Sequence, residues 1–165
     1  MRAPAPSSGV DDLLRNMDTG EDRADFERTG MDQRKTERGF MIRLDRGEEL
    51  VATLSAFLAE RDIRCGAVTG IGAVDAVELG LYAGASREYL HRHFEGEYEI
   101  ASITGNVSSV DGVPFAHLHG VFSDADCATI GGHLFSARVS VTCELDLVVY
   151  AGDVKREPDE ATGLK

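Results

Sequence analysis

From Gly39 to Tyr150 apolar and polar residues alternate with a period of two, and one stretch with helical spacing interrupts the alternation. Successive side chains of a strand point to opposite faces, so such a chain must build a sheet with a buried and a solvated side. Phe40, Ile42 and Leu44 alternate with Met41, Arg43 and Asp45, which predicts a half-buried strand ended by Gly47. Glu48 and Glu49 then open a helix, where acids suit the positive end of the dipole. Leu50, Val51, Leu54, Phe57 and Leu58 share one face of that helix, which should stop near Asp62.

Strands follow. Residues 65–74, CGAVTGIGAV, read as a Gly-rich apolar strand, and Val77, Leu79 and Leu81 give the next by alternation. Further strands are expected at 87–94 and 97–107. Asp111-Gly112 supplies a hairpin turn to a partner at 113–122. A Gly-containing loop is expected over 123–136, then a last strand over 137–150, with Val141, Cys143, Leu145, Leu147 and Val149 on one side. Strands adjacent in sequence favour antiparallel pairing. The expected class is therefore α+β: a mostly antiparallel or mixed sheet of about six to seven strands, with one main helix packed on it, in a single domain.

The flanks differ in texture. Residues 1–38 are polar and broken by Pro and Gly, and read as a flexible arm in which only 12–17, DLLRNM, favours a short helix. Residues 39–151 form the core, and 152–165 read as a disordered tail. No run approaches the roughly 20 apolar residues needed to cross a bilayer. The opening MRAPAPSSGVDDLLRNMD has no apolar segment of the secretory kind, which makes the cytoplasm the default expectation. Cys65, Cys127 and Cys143 form no CxxC pair and are odd in number, against both a disulfide framework and a Cys-rich zinc finger.

The formal net charge is −12. Residues 39–151 carry sixteen acids, seven arginines and no lysine. A surface so acidic repels phosphate backbones, which disfavours charge-driven binding of nucleic acid.

Within this acidic block the histidines stand out. His117 and His119 are two apart on an expected strand, so both project from one face, with Cβ atoms roughly 6–7 Å apart. Two such imidazoles can converge on one ion. His133 follows Gly131 and Gly132, and a Gly-Gly-His turn is a way to swing a third ring over the pair. Three neutral imidazoles suit zinc, and nickel, copper and iron also accept them. Glu99, Asp124 and Glu144 are candidates for a fourth ligand or for accepting the imidazole N–H groups; Asp126 is a further carboxylate of this kind. A second pair, His91 and His93, shares a strand face but has no third partner and reads as solvated surface.

The segments RLDRGEELVATLSAFLAERDIRCGAVTGIGAV, YEIASITGNV and HLHGVFSDADCATIGGHLF, in that order over about 39–151, resemble the "plants and prokaryotes conserved" (PPC) domain. That resemblance implies a compact sheet with one long helix, a homotrimer, and a metal at the positions matching His117, His119 and His133. It also brings a label of predicted DNA binding, which in plants accompanies AT-hook motifs. Two departures bear on that label. No AT-hook is present, and the plant-type Gly-Arg-Phe-Glu-Ile is matched here by Gly96-Glu97-Tyr98-Glu99-Ile100, an acid in place of the base.

Three functions remain open on these residues. The first is a zinc-binding, homotrimeric binding or regulatory module. The second is a DNA-binding or transcription-associated protein, with Arg34, Lys35 and Arg38 of the arm as contacts. The third is a zinc-dependent hydrolase, with Glu99 or Glu144 as general base. The absence of a nucleophile motif or a phosphate loop leans the reading away from an enzyme.

Overall fold

The computed structural model describes residues 30–165; the arm up to residue 29, with its 12–17 segment, lies outside the described residues. Seven strands and one helix follow in the order β1 (Asp32–Lys35), β2 (Gly39–Asp45), α1 (Leu50–Glu60), β3 (Gly66–Ala83), β4 (Glu88–Val110), β5 (Val113–Ser123), β6 (Thr129–Val149) and β7 (Lys155–Arg156). The sheet order is β1-β2-β6-β3-β4-β5, and β5 also pairs with β6. Strands β3, β4, β5 and β6 therefore close on themselves as a ring. All pairings are antiparallel except the two-residue contact of β7 with β4. The fold is thus a mostly β single domain with one short helix, the β-rich end of the expected α+β class.

Alternation explains the core. Ile42, Leu44, Leu145, Leu147 and Cys143 are inward-facing and at most 2% exposed, and the helix adds Leu50, Leu54, Phe57 and Leu58. Cys143 is accordingly a small apolar core residue, its thiol pushed up to about 12 by burial and then by Glu144. At the β4–β5 hairpin Asp111 and Gly112 take φ of 51° and 81°, the left-handed pair that matches the twist of the flanking strands.

Glu49 fixes the helix to the sheet. Its carboxylate accepts the N–H groups of Val51 and Ala52, capping α1, and also that of Ala137 on β6 at 2.8 Å. The β6 segment it grips lies four residues past His133. Glu49→Ala leaves three donors without this acceptor and should cost about 1–3 kcal/mol. A urea unfolding midpoint checks this, and an unchanged midpoint would contradict it.

Three expectations are corrected. The stretch 123–136 is not one loop: the turn spans only 124–128, where Asp124 Oδ1 accepts the N–H groups of Asp126 and Ala128, and β6 has begun by Thr129. The tail 152–165 is ordered against the sheet. Ser109 N–H donates to the Val154 carbonyl at 2.7 Å, Ser109 Oγ to Asp153, and Tyr82 OH to the Thr162 carbonyl. Polar side chains anchor it, which a scan for apolar periodicity does not register. Finally, residues 32–35, at the end of the expected arm, pair with residues 40–43 as edge strand β1.

Candidate metal centre

His117 and His119 sit on β5 opposite Asn106 and Thr104 of β4. As strand alternation requires, their rings lie on one side, with centroids 5.2 Å apart. His133 reaches them by a different route from the one expected. Gly131 and Gly132 form no turn; they are extended residues of β6, and His133 is the direct cross-strand partner of His119. It pairs at the same time with Gly80 of β3, at the point where β6 passes from one neighbour to the other. The glycines still act by close approach. A Cβ at Gly131 would lie 2.9 Å from the Gly120 carbonyl oxygen, and one at Gly132 would lie 2.9 Å from that of Gly80.

The His133 ring centroid is 5.0 Å from that of His117 and 5.5 Å from that of His119. One ring nitrogen from each residue falls within 4.8 Å of the others. Ligand atoms at 2.0–2.1 Å from one ion sit about 3.3 Å apart in a tetrahedron, so small side-chain rotations bring this set to bonding distance. His119 is exposed, while His117 and His133 are half-buried, so the group opens toward solvent on the His119 side.

The group holds three imidazoles and no carboxylate. Asp124 is occupied in its own turn. Glu99 is opposite Ser123, four residues and about 13 Å along β5 from His119. Glu144 lies on β6 opposite Arg43 and Ile71, eleven residues past His133. Asp126 lies in the exposed turn after β5. His91 and His93 form a separate surface pair, His91 Nδ1 lying 2.7 Å from Glu78 Oε1 and His93 Nε2 3.8 Å from the same atom.

One partner was not visible in the sequence. Arg156 of β7 places Nη2 3.0 Å from His117 Nδ1, and is held there by Ser108 Oγ at 2.7 Å and Asn106 Oδ1 at 3.0 Å. Nothing in the polar tail marks Arg156 above its neighbours; only the parallel pairing of β7 with β4 brings it to the histidines.

Electrostatics favours the neutral form of His133 and His117. Burial lowers the His133 pKa from 6.5 to about 4, with His117, His119, Arg156 and His91 pushing the same way. His117 is lowered too, by burial first and then by Arg156 and His119. Neutral imidazole is the form that ligates a metal. His133 Nδ1 is also buried without a hydrogen-bond partner. An orphaned buried nitrogen costs free energy unless something satisfies it, and a cation bound through that nitrogen would. The residues present therefore fit a divalent ion.

A pH dependence follows. The unfolded chain protonates His133 near 6.5 and the folded chain only near 4, so between these values the unfolded state binds more protons. In chelator-treated protein, stability should be level above about 6.5 and fall as pH drops toward 4. Urea midpoints across that range check it, and a flat profile would contradict it.

Comparison with known proteins places this geometry in context. The Plants and Prokaryotes Conserved (PCC) domain matches residues 31–151, most of the described chain. The chain belongs to this family. As a PPC-domain protein it shares its fold with several solved structures. The metal-containing protein from Archaeoglobus fulgidus is 35% identical over 83% of this chain and 96% of its own, with a TM-score of 0.72. A protein from Bacteroides thetaiotaomicron, put forward as DNA-binding, is 27% identical over 82% of this chain and 95% of its own, with a TM-score of 0.80. The plant- and prokaryote-conserved protein of Pyrococcus horikoshii is 26% identical over 84% and 95%, with a TM-score of 0.70. The comparison with curated proteins gives no match. Among the described residues of this PPC protein, no helix is long and apolar enough to cross a membrane.

Proposed function

We propose that this PPC protein is a binding module that holds one divalent ion, zinc, on His117, His119 and His133. The observation that carries the reading is the convergence of three imidazoles within 4.8 Å, one of them with a buried, unpartnered nitrogen. The metal-containing Archaeoglobus relative supports it at 35% identity. When bound, a zinc ion with three protein ligands keeps one position open to a ligand. The chain's own residues set the rest: His119 leaves that side exposed, and β5 and β6 hold the rings in register. A binding role is favoured over hydrolysis because, among the described residues, no carboxylate joins the three histidines in their cluster to serve as general base.

The test is metal content after dialysis against metal-free buffer. About one zinc per chain is expected to survive, and His119→Ala should lose it. A wild-type protein that returns metal-free after zinc loading would end this reading.

Self-association as a trimer belongs to the same proposal. Leu81 and Leu90 pair across β3 and β4, yet they are 67% and 54% exposed, an apolar patch suited to a second copy. Light scattering should give about three times the 17.8 kDa chain mass.

Direct DNA binding is a second reading, favoured by the Bacteroides relative and opposed by the net charge of −12. A gel shift titrated with salt separates them: no shift at low salt removes DNA binding.

A further inference from the structure

The guanidinium of Arg156 touches the histidine group but is the wrong kind of partner for a metal ligand. Arginine has only donors, so in the hydrogen bond at 3.0 Å the acceptor is His117 Nδ1. A neutral imidazole has one lone-pair nitrogen. Once that lone pair goes to an ion, the other nitrogen carries a proton and needs an acceptor, not a second donor. If His117 ligates through Nδ1, Arg156 is displaced from it; if it ligates through Nε2, an N–H faces the guanidinium. Either way, metal loading and the Arg156–His117 bond exclude one another.

Loading therefore frees an N–H on an arginine that stays anchored. Nε remains on the buried Ser108 hydroxyl, and Asn106 still accepts from Nη2. Its other contacts are the main-chain oxygen of Lys165, at 3.4 Å from Nη1, and the ring of Phe115, whose centroid is 5.3 Å from Cζ. No Asp or Glu side chain among the described residues pairs with Arg156, in a chain of 29 acids. The other cation nearby, Lys165, is already paired with Asp111. A half-buried guanidinium with no Asp or Glu side chain paired to it, beside a site for a divalent ion, is suited to receive an anion.

The space for one is there. A cavity of about 490 Å³ runs from His117 and His133 past Arg156, with Tyr89, Phe115, Leu134 and Phe135 among its walls. Polar and aromatic groups share its walls: the Arg156 guanidinium lies 5.3 Å from the Phe115 ring, and Tyr89 and Phe135 lie 5.1 and 4.6 Å from the His133 ring.

We propose that the metal-loaded site binds a small carboxylate with a flat apolar body, its anion read by Arg156 at the histidine end of this cavity. This rests on the metal reading above and specifies its ligand. A carboxylate matches the two N–H groups of a guanidinium end better than a neutral ligand does, and it offsets the charge that the ion adds beside Arg156. Ion and anion then favour one another, because each restores what the other's absence leaves unbalanced, and the coupling must be equal in both directions.

The experiment measures zinc affinity of the full chain by chelator competition, with and without benzoate, using benzamide as the uncharged probe of the same shape. Saturating benzoate should tighten zinc binding by about 10-fold, and zinc should tighten benzoate binding by the same factor. Benzamide should do neither. Arg156→Gln should bind zinc at least as tightly as wild type without benzoate and lose the benzoate effect; Arg156→Lys, keeping charge but not the fork, should retain part of it. Zinc binding indifferent to benzoate in the wild type overturns this proposal and leaves the metal reading standing, as does a benzoate effect that persists in Arg156→Gln. Failure to bind zinc at all overturns both.

Discussion

Replacing His133 with leucine will lower zinc affinity by more than about 100-fold while leaving the metal-free protein as stable as the wild type, or slightly more so. Loss of a group that merely orients a metal ligand costs 10–100-fold, so loss of the ligand must cost more. The second half follows from the ring's surroundings. His133 lies against Tyr89 and Phe135, at centroid distances of 5.1 and 4.6 Å, and leucine keeps most of that apolar contact. It also removes the buried Nδ1 that has no partner, and apolar replacement of an unsatisfied polar group is neutral or stabilising. Isothermal titration with zinc and urea unfolding of the chelated protein check the two halves. A variant that binds zinc as well as the wild type would remove His133 from the site. A large loss of metal-free stability would mean that the ring is structural.

Phe57→Ala should do the opposite: destabilise by about 3–5 kcal/mol and leave the imidazoles able to bind zinc in the folded fraction. Phe57 is 1% exposed at the centre of the helix–sheet contact. Its ring meets Phe40 edge-on at 5.2 Å, and the Arg61 guanidinium lies 4.0 Å from its centroid. Truncation removes the transfer energy of the ring and opens a cavity that rigid strands on one side cannot refill. Denaturant unfolding with and without zinc reads both effects. A loss below about 1 kcal/mol would show that α1 contributes little to the core.

These two residues also mark what the sequence could reveal. Helix α1 was legible from the spacing of Leu50, Leu54, Phe57 and Leu58 and from the acid before it, because packing and capping both act within one local segment. The His117–His119 pair was legible because strand alternation alone puts both rings on one side. Strand lengths were not. Asp75 and Gly96 fell in the gaps between expected strands, whereas they lie in a bulge of continuous strands: Val74 pairs with Tyr98 and Ala76 with Glu95, so one residue of β3 faces two of β4. A polar residue at a bulge and one at a strand end look alike in sequence, since both lie outside the ladder.

The third histidine shows the same limit at the site itself. Gly131-Gly132 was read as permission to turn, but both residues are extended, and their lack of Cβ serves the close passage of β6 between Gly120 and Gly80. His133 is therefore brought to His117 and His119 by ladder pairing rather than by a loop. Arg156 was illegible. Its position depends on Ser109, Asp153 and Val154 pinning a polar tail to β4, a set of hydrogen bonds with no periodicity.

X-ray absorption at the zinc edge of the loaded protein examines the central claim most directly. Three imidazole nitrogens at about 2.0–2.1 Å, with one further light-atom ligand, are expected. A shell containing sulfur, or one built of oxygens without imidazole scattering, would mean that the ion sits elsewhere and that these three rings do not hold it.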